Sequence, residues 1–193
     1  MYKIEEIIEA LLYFANSREI TTKIVKACYL LESEYFDKTG QRLTNVEYKY
    51  YIYGPFSESI TSSMKNDSNI FYSQQTSMDG NDYGLFTLKK TSALSRIDPF
   101  TLSLIERWAK IAQQSTLEEM LNLAYKDKNF KKAKQGEIIK FESSFLKKKE
   151  IAKKRIKEKF SNHKFSKEEI EELSKIEDEQ LLEYTRNLLR ESD

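Results

Sequence analysis

The sequence predicts an α+β fold that is predominantly α-helical: a helical body with a small antiparallel β-sheet or hairpin and a C-terminal charged helical extension. Three observations carry this. Apolar residues recur at helical spacing through most of the chain, whereas only three short segments are rich in β-branched and aromatic residues. Five Gly and two Pro among 193 residues are few, which disfavours a turn-rich β-sandwich. Charge is unevenly placed. Residues 145–164 hold nine Lys or Arg against two Glu, and residues 166–193 hold four basic residues against ten acidic ones. The implied division is a body, residues 1–144, and a charged helical hairpin extension, residues 145–193.

In the body, Ile4, Ile7, Ile8, Leu11 and Phe14 predict an amphipathic helix over 2–16. Ile24, Ala27, Cys28, Leu31 and Tyr35 predict a second over 21–38, with Thr21 or Thr22 as N-cap and Gly40 as the left-handed stop. Val46, Tyr48, Tyr50 and Ile52 alternate, so 46–53 reads as a strand ended by Gly54-Pro55. A short helix follows to Lys65, with Ile60 and Met64 facing inward. Strands at 69–76 and 83–90 flank the turn-rich stretch Met78–Asp82. Asp98-Pro99 reads as an N-cap followed by Pro at the first helical position, and Thr116-Leu117-Glu118-Glu119 as a capping box. Residues 127–136 read as a polar loop. In the extension, a basic helix and an acidic helix opened by Ser166-Lys167-Glu168-Glu169 can pair as a hairpin.

Several chemistries find no residues to carry them. Cys28 is the single cysteine, so an internal disulfide or a Cys zinc cluster has nothing to build on. His163 is the single histidine, around which any Ser-His-Asp or Cys-His set would have to be built, although its polar setting Ser161-Asn162-His163-Lys164 reads as a solvated loop. No carboxylate pair stands out by spacing, and no cofactor or metal is expected. The chain is read as a non-enzyme. With 32 basic and 31 acidic residues the net charge is +1, so nothing global draws it to nucleic acid or anionic lipid. No apolar run reaches the roughly 20 residues of a membrane span. The start Met1-Tyr2-Lys3-Ile4-Glu5-Glu6 lacks the apolar stretch of a signal peptide, and the expected location is cytoplasmic.

Two features invite a binding role. The helix–helix–strand–helix–hairpin order resembles a winged helix-turn-helix. Yet the candidate recognition helix 56–65 carries one Glu and one Lys, where groove readers need Arg, Lys, Asn or Gln. Tyr48, Tyr50, Tyr51, Tyr53 and Phe56 put five aromatics into nine positions. They could stack bases, or alternate rings could pack the core while the others cover the opposite face.

Beyond these patterns, Thr22-Lys23-Ile24-Val25-Lys26-Ala27-Cys28-Tyr29-Leu30-Leu31, then Gly40 with Leu43-Thr44, then Tyr53-Gly54-Pro55-Phe56-Ser57, resembles the Panacea domain, the SocA-like antitoxin family often labelled phage-associated. Leu121-Asn122-Leu123-Ala124-Tyr125, Phe130, Ala133 and Gly136-Glu137-Ile138-Ile139 look like that family's second block, although Tyr125 stands where members usually carry His and Phe130 where they carry Trp. The resemblance spans about residues 4–142. It implies an antitoxin of a toxin–antitoxin module that binds a cognate toxin, in one branch as an adaptor to a protease. The expected partners are that toxin and a cellular protease or chaperone, with homo-oligomers left open. The expected contacts are Tyr51, Tyr53 and Phe56, and Lys148, Lys149, Lys153 and Arg155 in the extension. Lys23, Lys26, Tyr29, Gly54, Pro55 and Gly136 are motif residues with a structural role.

Overall fold

The computed structural model describes residues 1–78, 80–91, 93–143, 146, 150, 151, 153 and 154. The chain divides into two compact units, Met1–Ser143 and Ser144–Asp193. In the second, residues 146, 150, 151, 153 and 154 are helical and Lys153 is exposed. Lys148, Lys149, Arg155, His163 and the acidic helix expected from Ser166 lie outside the described residues, as does Asp79.

The first unit is built on two helices that bury their apolar stripes against each other and against a third. Helix α1 (Ile4–Phe14) buries Ile7, Ile8 and Leu12 completely or nearly so. A three-residue strand, β1 (Arg18–Ile20), leads into α2 (Thr21–Thr39). The N-cap of α2 is Ile20, in extended conformation and without a side-chain bond, rather than Thr21 or Thr22. The preceding strand sets the extended backbone there, and the threonines are drawn inside the first turn. Gly40 closes the helix in the left-handed conformation at φ 71°.

The segment 46–53 is not one strand. Val46 and Tyr48 are buried as the alternation predicts, but the ladder is confined to β2 (Lys49–Tyr51). The chain turns at Ile52-Tyr53 and returns as β3 (Gly54–Phe56), pairing Lys49 with Phe56, Tyr50 with Pro55 and Tyr51 with Gly54. Gly54-Pro55 is therefore the second arm of a hairpin, not the exit from a strand. Gly54 makes the tight return possible by taking φ 85°. Helix α3 (Glu58–Asn66) follows, with Ile60 and Met64 fully buried.

Strands β4 (Ile70–Thr76) and β5 (Asp82–Leu88) form the expected hairpin, and β1 adds to the far side of β5, giving the antiparallel order β1-β5-β4. Gly84 sits at a close approach: a Cβ there would lie 2.5 Å from the Thr21 hydroxyl and 2.7 Å from the Tyr72 ring. Phe86, in the middle of the sheet, is completely buried. After a 3₁₀ turn at Ala93–Arg96 comes α4 (Pro99–Gln114). Its Asp98 cap accepts from Thr101 N–H and hydroxyl at 3.0 and 2.6 Å and from the Tyr2 hydroxyl at 2.5 Å. The Thr101 and Tyr2 hydroxyls hold the Asp98 carboxyl down at about 2. Helix α5 (Leu117–Lys126) opens on the capping box of Thr116 and Glu119.

Residues 127–136 are not all loop. Helix α6 (Lys128–Lys132) is capped by Asp127, and its Asn129 and Phe130 are buried. The segment is polar in composition, but the residues that decide its conformation point inward. The architecture is α+β and mainly helical, with six helices in the first unit.

Candidate functional site

The β2–β3 hairpin presents its tip to solvent and its base to the core. Alternation along β2 sends Tyr50 one way and Tyr51 the other. Tyr50 stacks on Phe130 of α6, ring centroids 4.2 Å apart and planes within 15°. On the opposite face Tyr51 lies 5.9 Å from the half-buried Phe56 and 6.3 Å from Tyr53. The tip residues Tyr51, Ile52 and Tyr53 are 52%, 59% and 65% exposed. Three consecutive large apolar side chains held out this way are a costly surface for a folded domain, and tyrosine is a residue type that anchors protein interfaces. Next to the hairpin an open cleft of about 610 Å³ is walled by Lys3, Glu5, Glu47, Lys49, Phe56 and Glu58, a mixed-charge border to the aromatic surface.

The hairpin is clamped from behind by both halves of the sequence motif. From the first, Lys26 of α2 reaches under β3 and donates from Nζ to the Pro55 carbonyl at 2.7 Å. A Cβ at Gly54 would stand 3.3 Å from Lys26 Cε, so the absent side chain is what lets the strand lie on the lysine stem. From the second, the Tyr125 phenol donates to the Ile52 carbonyl at 3.0 Å, directly behind the tip. Tyr50 N–H donates to the Glu137 carbonyl at 2.8 Å, and Gly136 N–H to the Tyr50 carbonyl at 2.9 Å. Ile139 N–H donates to the Tyr48 carbonyl at 2.7 Å. Gly136, at φ 84°, makes the turn that allows this return.

The other motif residues brace α2. Lys23 Nζ donates to the Ala112 carbonyl at 3.0 Å and pairs with Glu19 at 3.4 Å, tying α2 to α4 and β1. The Tyr29 hydroxyl donates to Asp127 at 2.5 Å, and Ser33 donates to the other oxygen of that carboxylate at 2.7 Å. Burial, reinforced by the Asp127 charge, pushes the Tyr29 phenol up. Burial likewise raises the Cys28 thiol, which keeps it an unreactive core group. Sequence reasoning placed Tyr51, Tyr53 and Phe56 together, and the structure brings them into one cluster. It missed Ile52, which it placed with Val46, Tyr48 and Tyr50 along one longer strand, and it missed Tyr125 as a hairpin contact. Ile52-Tyr53 has none of the Asn-Gly or Asp-Gly signature of a two-residue hairpin loop, so no local signal marked the tip. Among the described residues no group of three His, Cys, Asp or Glu side chains could hold a metal. No helix among them is long and apolar enough to cross a membrane.

The family assignment rests on this region. A family model described as antitoxin SocA-like, Panacea domain, matches residues 24–128, more than half of the chain. The chain belongs to that family. The match runs from the inner turns of α2 through α5, so it contains Lys26, the whole β2–β3 hairpin and the Tyr125 that backs it. No curated protein and no solved structure matches. In this Panacea domain the phenol of Tyr125 supplies a donor to the hairpin, and Phe130 supplies the flat face on which Tyr50 stacks.

Lys26 also gives this Panacea domain a characteristic pH response. It is 3% exposed, and burial lowers its ammonium from 10.5 to about 8. Above about 8 the folded lysine is neutral while the unfolded one still binds a proton, up to its ordinary 10.5. Stability is therefore expected to rise with pH from about 8, until above about 9 the buried Cys28 thiol, protonated in the folded chain and ionised in the unfolded one, offsets the rise. Urea unfolding between pH 7.5 and 9 should show the rise in the wild type and not in Lys26→Met. A Lys26→Met profile parallel to the wild type would assign the rise to another group.

Proposed function

We propose that this chain is an antitoxin that neutralises a cognate toxin by direct binding, without catalysis, in the cytoplasm. The Tyr51-Ile52-Tyr53 tip and Phe56 serve as the desolvated anchor. The observation that carries the reading is the exposed apolar tip on a base hydrogen-bonded from three sides, within a chain of the antitoxin family. A tip pre-ordered in this way loses little conformational freedom on binding, so its buried area converts efficiently into affinity. In the extension, Lys148, Lys149, Lys153 and Arg155 steer encounter by charge. Delivery of the captured toxin to a protease or chaperone is a downstream use of the same grip.

Co-expression with the product of the neighbouring open reading frame, which is expected to be lethal alone, tests the proposal. The double variant Tyr51→Ala, Tyr53→Ala is expected to lose growth rescue and to weaken the purified complex by about 30-fold or more. Its circular dichroism should match the wild type, because both side chains are more than half exposed. Full rescue by the double variant would remove the tip from the interface.

One observation favours a second reading, a DNA-binding regulator of the winged-helix kind. The order α1-β1-α2-α3-β4-β5, interrupted only by the β2–β3 hairpin, and the sheet order β1-β5-β4 match that topology. Helix α3, with Glu58 and Lys65 as its only charges, offers little for phosphates or base edges. Gel shifts on upstream DNA at two salt concentrations decide it, since phosphate contacts give a steep salt dependence.

A further inference from the structure

The outer edge of the three-stranded sheet is open, and its composition suits one kind of partner. Strand β4 pairs with β5 on one side only. Lys89 N–H donates to the Asn69 carbonyl at 2.7 Å and Ser77 N–H to the Asn81 carbonyl at 2.9 Å, and these bonds bracket the strand. In the register that pairs Ile70 with Leu88 and Thr76 with Asp82, the odd-numbered residues between them direct their main-chain groups at β5. Tyr72, Gln74 and Thr76 then direct theirs away from the sheet, and among the described residues no backbone group meets them. The seven residues Ile70-Phe71-Tyr72-Ser73-Gln74-Gln75-Thr76 contain no charge, no Pro and no Gly. Edge strands are ordinarily protected by lysines, prolines or bulges, and β4 carries none of these. Beside the edge, on the face away from the core, Phe71 is 54% exposed.

We propose that β4 is the interface between two copies of this chain, paired antiparallel about a two-fold axis so that the two three-stranded sheets become one of six strands. A strand from an unrelated protein would have to be selected by side-chain pockets or flanking charges, and β4 offers main-chain bonds and neutral side chains instead. A second β4 is the complementary occupant: equal in length, opposite in direction, and free of like-charge pairs. The register that pairs all seven residues sets Ser73 opposite its own copy and Tyr72 opposite Gln74, joining outward-facing main-chain groups. Phe71 of each copy then lies opposite Gln75 of the other, which covers the exposed ring.

Sedimentation of the full chain over a micromolar concentration series tests the proposal. A monomer–dimer equilibrium is expected in the wild type. Ser73→Lys places two ammonium groups face to face at the axis and should weaken dimerisation roughly fivefold or more, with the loss reduced at high salt. A mixture of Ser73→Lys and Ser73→Asp should recover the dimer strength that each loses alone. Gln74→Pro, which removes an outward donor and spares the ladder to β5, is the second variant and should also yield monomers. A wild type that stays monomeric overturns the proposal. So does a dimer indifferent to both variants, which would place the interface elsewhere. A chain that is monomeric alone and loses toxin affinity in Ser73→Lys would give the edge to a toxin strand instead. The aromatic-tip variants test a different surface, so failure of either proposal leaves the other standing.

Discussion

Replacing Glu32 by alanine is expected to destabilise the first unit by about 3–5 kcal/mol, a large share of a total that for ordinary domains is about 5–15 kcal/mol. The side chain of Glu32 is 1% exposed, and its two oxygens are fully used. Oε1 accepts from Arg42 Nε at 2.6 Å and from Leu43 N–H at 3.0 Å. Oε2 accepts from Thr44 N–H at 3.1 Å and from the Thr44 hydroxyl at 2.7 Å. This one carboxylate therefore fixes the loop between α2 and the hairpin. Arg42 in turn donates to the Val46 carbonyl at 2.5 Å and covers the Phe141 ring at 4.8 Å. Alanine would leave two amides, a hydroxyl and a guanidinium without their acceptor, at about 1–3 kcal/mol for each buried group, moderated by water entering the cavity. Arg42→Leu should cost less than Glu32→Ala, because the carboxylate keeps its three other donors. The check is the urea midpoint of each variant at constant m. Equal midpoints for Glu32→Ala and wild type would show that the loop holds without its carboxylate.

Asp127→Ala is expected to cost about 3–4 kcal/mol and to loosen the hairpin as well. Asp127 caps α6 through Asn129 N–H at 2.9 Å and Phe130 N–H at 3.1 Å, a role worth about 1 kcal/mol. It also receives the Tyr29 and Ser33 hydroxyls of α2, each of which would be left buried without an acceptor. Because α6 carries Phe130, the platform under Tyr50, losing the cap should free β2 to open. The measurement is limited proteolysis alongside urea unfolding, with new cleavage expected around 49–56. Tyr29→Phe in the Asp127→Ala background should add little, since the two share one hydrogen bond, and a coupling near zero would deny that bond its role.

The helices were legible because their signals are local. Asp98-Pro99 and the Thr116–Glu119 box announce α4 and α5 within four residues, and Ile4 through Leu12 repeat often enough for the period to be unmistakable. The β4–β5 hairpin was legible for the same reason, with seven residues on each arm and a turn between. The aromatic surface was legible as a cluster, but its display was not. Strands β1, β2 and β3 are three residues long, too short to show an alternating period, and β1 finds its partner Thr87 far along the chain from Arg18.

By itself, then, the amino-acid order determined the helices other than α6, the caps of α4 and α5, the family motif and the crowding of aromatics around Gly54-Pro55. Only the tertiary structure decided that those aromatics form a hairpin tip, that Lys26 is buried beneath it, and that Tyr125 and Phe130 support it from behind. The physical reason is range. Helix periodicity and capping are settled between residues three or four apart. Whether a lysine stays in water, or a tyrosine finds a carbonyl 73 positions away, depends on which surfaces the packed helices leave facing each other.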